Sequence, residues 1–167
     1  MNDYTYKIAT LDELDKVWDK NIADNAGDMR WIEWGKEFIR DNIAGLCQSF
    51  VVLYRNQPIG EGTLAFSPQF GGINNRLDLA DGVSVANLCA LRMDKQHEGK
   101  GHISALVKLM EQHAKDLGYK RITVGVEPKE SRNLAIYLHW GYDTFVRADY
   151  EADYEGGALV LYYAKDL

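Results

Sequence analysis

The chain has 167 residues, 46% of them hydrophobic and 26% charged, with a net charge of −6. Such a chain suits one globular domain over residues 1–167 with a substantial core, and it excludes a disordered or low-complexity protein. The acidic surplus argues against a general nucleic-acid binder. No apolar run is long enough to span a bilayer, and Met1-Asn2-Asp3-Tyr4 lacks a basic region before an apolar core; the expectation is a cytoplasmic protein with no membrane partner. Cys47 and Cys89 lie far apart with no Cys-x-x-Cys pattern, so both are expected to be free, buried thiols.

Tyr4 to Ala9 reads as a first strand. Thr10-Leu11-Asp12-Glu13 is a capping box, because the hydroxyl and the glutamate can each satisfy a free N–H at a helix start. That helix continues through Leu14, Val17 and Trp18, and a second holds Met29 to Ile43 with Trp31, Trp34 and Phe38 on one face. Ser49 to Arg55 and Pro58 to Phe66 flank Asn56-Gln57 as a hairpin. Pro68 to Gly82, rich in Gly, Asn and Asp, reads as a loop, and Val83 to Met93 as the central strand. After Met93 comes Glu98-Gly99-Lys100-Gly101-His102-Ile103-Ser104. A helix follows with Ile103, Leu106, Val107, Met110, Ala114 and Leu117 recurring on one face. Arg121 to Val126 is a further strand. Asp143 to Arg147 and Ala158 to Ala164 form a last strand pair around an acidic loop, with an edge open to a homodimer partner.

A loop with two glycines at a helix N-terminus is an anion site in outline. Its free N–H groups converge, the helix dipole adds partial positive charge, and glycine lets a phosphate approach the backbone. Tyr137-Leu138-His139-Trp140-Gly141-Tyr142 follows the Arg121 strand. From Leu88 to Phe145 this order resembles the GCN5-related N-acetyltransferase (GNAT) superfamily. Those proteins carry a strand, then Gln or Arg, two residues, Gly, one residue and Gly or Ala. A long helix, a strand, and a short helix with a tyrosine ahead of Gly-Phe or Gly-Tyr follow. Gln96 to Gly101 matches the loop literally but shifts the helix out of register. The register set by the helix puts Glu98 where Gln or Arg is usual and Ile103 where a small residue is usual.

The resemblance implies an α/β (α+β) fold with a mixed, twisted sheet of about six to seven strands flanked by helices. It also implies an acyltransferase with acetyl-CoA as co-substrate. The pantetheine arm would enter a splay between the central strand and Arg121–Val126, pairing with the backbone of Leu91, Arg92 and Met93. The pyrophosphate would lie on Glu98, Gly99, Lys100, Gly101, His102, Ile103 and Ser104, with Asn133 a further cofactor contact. Tyr137 matches the tyrosine that protonates the leaving thiolate; an unperturbed phenol, pKa about 10, suits a thiol near about 8.5. Asn87 stands where some relatives carry a basic glutamate and cannot take a proton. Glu61 and Glu127, carboxylates in apolar strands, are the replacement candidates. Trp18, Trp31 and Trp34, with Asp24, Asp28 and Glu33 nearby in sequence, are candidates for an aromatic wall attracting a cationic amine.

The leading expectation is acetyl transfer to a primary amine of a small molecule. A peptide or protein acceptor, and a binding or regulatory module of the same fold without activity, are the alternatives. His97, His102, His113 and His139 do not fall at ligand spacing, so no metal is expected. Cys89 lies inside the apolar run Leu88-Cys89-Ala90-Leu91 and reads as an inert thiol rather than a nucleophile.

Overall fold

Apolar alternation along the strands decides the layering. The structure, a computed structural model, describes residues 3–152 and 157–167. In β2 (Cys47–Tyr54), Phe50 and Val52 enter one core, while Val51 and Leu53 enter another with Val17. Successive side chains of a strand point to opposite faces, so each face of the sheet carries its own helical layer. The helix α3 (His102–Asp116) buries Leu106, Val107, Met110 and Ala114 against the first face. Leu106, Val107 and Met110 contribute about 2 kcal/mol each, and Ala114 less. The helices α1 (Leu11–Asp24) and α2 (Arg30–Ile43) cover the second face through Val17 and Phe38.

Among the described residues, the sheet has seven strands in the order β1-β2-β3-β4-β5-β7-β6. These are β1 (Tyr4–Ile8), β2, β3 (Gln57–Ala65), β4 (Val85–Met93), β5 (Arg121–Val126), β6 (Thr144–Glu151) and β7 (Ala158–Asp166). β4 and β5 run parallel, and the other neighbouring pairs of these strands are antiparallel. A fourth helix, α4 (Ser131–His139), follows β5. The mixed sheet between helical layers is the architecture expected.

The capping box forms in full at Thr10 and Glu13. The β2–β3 hairpin turns one residue earlier than expected, at Arg55 (φ 49°) and Asn56 (φ 64°), with Tyr54 opposite Gln57. Two positive φ angles make the type I′ turn whose twist matches the flanking strands. β6 extends to Glu151, beyond the expected Arg147. The acidic loop expected after it lies, at residues 153–156, outside the described residues.

Candidate active site

The parallel register of β4 on β5 runs from Val85↔Arg121 to Leu88↔Val124 and stops. β4 continues to Met93, so Cys89 to Met93 have no β5 partner and the two strands part. The cause lies at Ala90, whose φ is 54°, beside a register shift between β3 and β4. An extra residue on one strand bends it, and a non-glycine residue in the left-handed region stores about 1–3 kcal/mol. Gly62 makes room for this bend, since a Cβ there would sit 2.8 Å from Leu91 Cδ2 and 2.9 Å from Met110 Sδ. On the closed side, Asn87 Nδ2 donates to Thr123 Oγ1 at 2.9 Å and fastens β4 to β5. Asn87 therefore serves as a clasp between the strands.

Beyond β4 the chain makes one 3-10 turn, Lys95–His97, and enters the glycine loop. Gly99 (φ 71°) and Gly101 (φ 83°) take left-handed conformations, and a Cβ on either would meet nothing within 4 Å. The loop is open to a ligand's approach. Gly101 caps α3 with no side-chain bond, and the first intrahelical bond runs from the Ala105 N–H to the Gly101 carbonyl. The N–H groups of His102, Ile103 and Ser104 are thus available at the helix start. Glu98 is exposed, Lys100 Nζ donates to the Gln96 carbonyl at 2.9 Å, and Ile103 packs against the main core.

The His102 side chain turns away from the loop. It is 8% exposed, stacks on Tyr4 at 4.0 Å and shares a 2.8 Å hydrogen bond through Nδ1 with the Tyr6 hydroxyl. Burial, then the charges of His97 and Lys100, hold its pKa below the ordinary histidine range. His97 shares a 3.1 Å bond with the Tyr4 hydroxyl. Two histidines thus pin both ends of the loop to β1.

Two cavities open where β4 splays. One, of about 680 Å³, lies among α1 and the ends of β3 and β4, with Asn21, Glu61, Met93, Asp94 and Glu98 in its wall. The other, of about 770 Å³, is walled by Trp34, Cys89, Ala90, Glu127 and Tyr162 among others. Trp31 and Arg92 belong to both walls. At their junction Glu61, 2% exposed, accepts from Asn21 Nδ2 and from Arg92 Nη1 on Oε1, each at 2.7 Å. Among the described residues, its Oε2 is buried without a partner. The Arg92 guanidinium lies 5.4 Å from the Trp18 ring and 4.9 Å from the Trp31 ring. Arg30 lies over Trp34 at 5.5 Å and is itself bonded to Asp28. The tryptophan faces expected to attract a cationic amine already carry the chain's own cations.

Glu127 reaches the larger cavity from the end of β5, and its carboxylate pairs with Lys129 Nζ at 2.8 Å. Lys129 is exposed, so that pair is weak and separable. Burial pushes the Cys89 thiol up to about 12, which keeps it protonated and a poor nucleophile. Tyr137 is half-buried on α4, its ring 6.0 Å from Trp140 and 6.4 Å from Tyr142, outside both cavity walls. Asn133 is exposed on the first turn of α4. The fold therefore brings Glu61, Arg92, Trp31, Trp34 and Glu127 around the splay, with the loop beside them and His102 turned inward. Asn21 and the Arg92 side chain were not among the site residues expected from the sequence. A lone arginine in the apolar run Leu88–Met93 was the available signal, since a charge in a central strand needs a partner.

Among the described residues no group of three or more His, Cys, Asp or Glu is placed to hold a metal ion, and no helix is long and apolar enough to cross a membrane. A family model described as "Acetyltransferase (GNAT) family" matches residues 10–142. No curated protein sequence matches the chain. Among solved structures, it is similar to a Salmonella typhimurium acetyl transferase that modifies the N-terminal serine of ribosomal protein L7/L12. The two are 16% identical with a TM-score of 0.70, over 100% of this chain and 96% of that one. A putative acetyltransferase from the same organism, with its cofactor acetyl-CoA, is 12% identical at a TM-score of 0.68, over 99% and 95%. A ribosomal-protein-alanine N-acetyltransferase from Brucella melitensis is 14% identical at 0.69, over 98% and 99%.

Proposed function

Because the chain belongs to the acetyltransferase (GNAT) family, we propose that it moves an acetyl group from acetyl-CoA to a primary amine on a small molecule. The observation that carries this reading is the alignment of the β4–β5 splay with the open, uncapped glycine loop. The two suit the two ends of the cofactor, an amide-bearing arm and a pyrophosphate. Acetyl-CoA supplies the activated acetyl group as a thioester. The β4 backbone from Leu91 to Met93 offers hydrogen bonds to the arm, and the N–H groups of Gly99 to Ser104 offer them to the phosphates. Glu98 is exposed and Ile103 turns into the core, so neither obstructs the loop. Asn133, exposed on α4, is a further contact for the cofactor.

The acceptor nitrogen attacks the thioester carbonyl; a C–N bond forms and the C–S bond breaks. Tyr137 gives its proton to the departing thiolate. Glu127, on the cavity wall, takes the proton that the nitrogen loses, directly or through water. Glu61 is less suited, because Oε1 already serves two donors and Oε2 is closed off. Its role is to hold Arg92. Trp31 and Trp34 shape the acceptor's side of the splay. A peptide N-terminus as acceptor is the second reading, favoured by the similarity to proteins that modify ribosomal proteins.

The test is calorimetric titration with acetyl-CoA, followed by thiol release with amine acceptors. Micromolar binding is expected, and Tyr137→Phe should lower turnover about 100-fold with cofactor affinity little changed. No binding at millimolar cofactor would make a non-enzymatic module the better reading. Unchanged turnover of Tyr137→Phe at saturating acceptor would remove the tyrosine from its role.

A further inference from the structure

We propose that Arg92 receives a carboxylate of the acceptor, so that the substrate is an amine that also bears a carboxylate: an amino acid or a close relative. This inference rests on the acetyltransferase reading and specifies its acceptor.

Arg92 stands on the splayed part of β4, between Leu91 and Met93, and its side chain is 34% exposed toward the two cavities it separates. A group bound to it lies beside the strand that would carry the thioester arm. Among the described residues, Nη1 has Glu61 as its hydrogen-bond partner, while Nε and Nη2 have none. The Trp18 and Trp31 rings fix the guanidinium in place. Little side-chain freedom is therefore lost when the remaining N–H groups grip a planar, two-oxygen anion.

Of the four acids in the larger cavity's wall, Asp41, Glu127 and Glu151 are paired within the chain, while Glu37 is exposed. Glu127 holds Lys129, Asp41 accepts from Arg40 at 3.0 Å, and Glu151 accepts from Arg76 at 2.6 Å and from Tyr162 at 2.6 Å. Arg92 thus stands among acids most of which hold partners of their own. Nor does Glu61 forbid a second anion on Arg92. Arg76 shows the pattern elsewhere in the chain, since its Nη1 binds Asp149 at 2.7 Å as well as Glu151. Asn21 also shares the Glu61 charge.

The experiment compares each amino acid with the amine left after decarboxylation: phenylalanine with phenethylamine, tyrosine with tyramine, histidine with histamine. Thiol release gives kcat/KM for each, and acetyl-CoA binding is measured on the same samples. The wild-type protein should favour the amino acid of at least one pair by tenfold or more. In the double variant Glu61→Gln with Arg92→Gln, which strands no buried charge, that ratio should fall below threefold. Arg92→Lys, which keeps the charge but not the fork, should give an intermediate ratio. Equal rates within every pair, transfer to none of the amino acids, or a ratio that survives in the double variant overturns the proposal. If acetyl-CoA still binds, the acetyltransferase reading stands without it; if acetyl-CoA does not bind, both fall.

Discussion

Removing either member of the Glu61–Arg92 pair deletes the same ion pair, yet the two losses should differ severalfold in cost. Glu61 is 2% exposed and Arg92 34%. In Arg92→Met the new side chain can still pack on Trp18 and Trp31, but Glu61 keeps its charge with the Asn21 amide as its one remaining donor. Stranding a buried charge in this way costs about 3–5 kcal/mol. In Glu61→Gln the carboxamide oxygen can still accept from Asn21 and Arg92, and the guanidinium keeps its tryptophans and its opening to solvent. That change trades charge-assisted bonds for neutral ones, at about 1 kcal/mol. For a domain of this size 1 kcal/mol moves Tm by about 3 °C. Arg92→Met should therefore melt about 10 °C or more below wild type, and Glu61→Gln about 3 °C below. Urea unfolding followed by circular dichroism checks the free energies directly. The double variant Glu61→Gln with Arg92→Met should be more stable than Arg92→Met alone, because the stranded charge is gone. Equal losses in the single variants, or a double variant weaker than Arg92→Met, would refute the asymmetry.

Asp81 sets an acid limb on stability. Burial would raise its pKa, but the N–H groups of Val85, Ser84 and Val83 and the Ser84 hydroxyl outweigh it and bring the carboxyl down to about 2. A depressed folded pKa contributes stability above about pH 4, lost as pH falls through about 2; a drop from 3.8 to about 2 amounts to roughly 2 kcal/mol. Asp81→Asn should lose that amount at neutral pH and flatten the loss between pH 4 and 2, as acid-titrated unfolding would show; an unchanged acid limb counts against the bonding pattern. At Gly62, a methyl group would press on Leu91 and Met110. Gly62→Ala should cost about 1–3 kcal/mol and weaken acetyl-CoA binding by displacing β4 at the splay. Wild-type Tm and affinity in that variant would show that the bend does not depend on Gly62.

What the sequence made legible was local. Thr10 and Glu13 lie one helical turn apart, so their capping box could be read directly, and α3 repeats its apolar face over several turns. The glycine loop belonged to the same class, because Gly99 and Gly101 adopt the positive φ angles that glycine tolerates. The splay was expected from resemblance alone. Its cause is an alanine in a left-handed conformation, matched to a glycine on the neighbouring strand. Nothing in the Ala90 side chain announces that conformation. His102 followed the loop in sequence but was taken by Tyr4 and Tyr6 of β1, partners that only the assembled sheet brings near.

The acceptor side of the splay reads differently in the sequence and in the fold, and the difference has a sign. Trp31 and Trp34 near acidic residues on α2 suggest an attraction for cations when only neighbours in sequence are considered. Folding brings Arg92 across from β4 to lie over Trp31, and it places Arg30 over Trp34. Once their faces are covered, the rings no longer recruit a cation from solution; they orient the cations they already hold. The same aromatic residues then present guanidinium N–H groups to the cavity, and on the proposal made above the preferred complement changes from a bare amine to one that carries an anion. Residue type alone cannot reveal that reversal, because it depends on which of two possible cations, the ligand's or the protein's own, occupies the aromatic face.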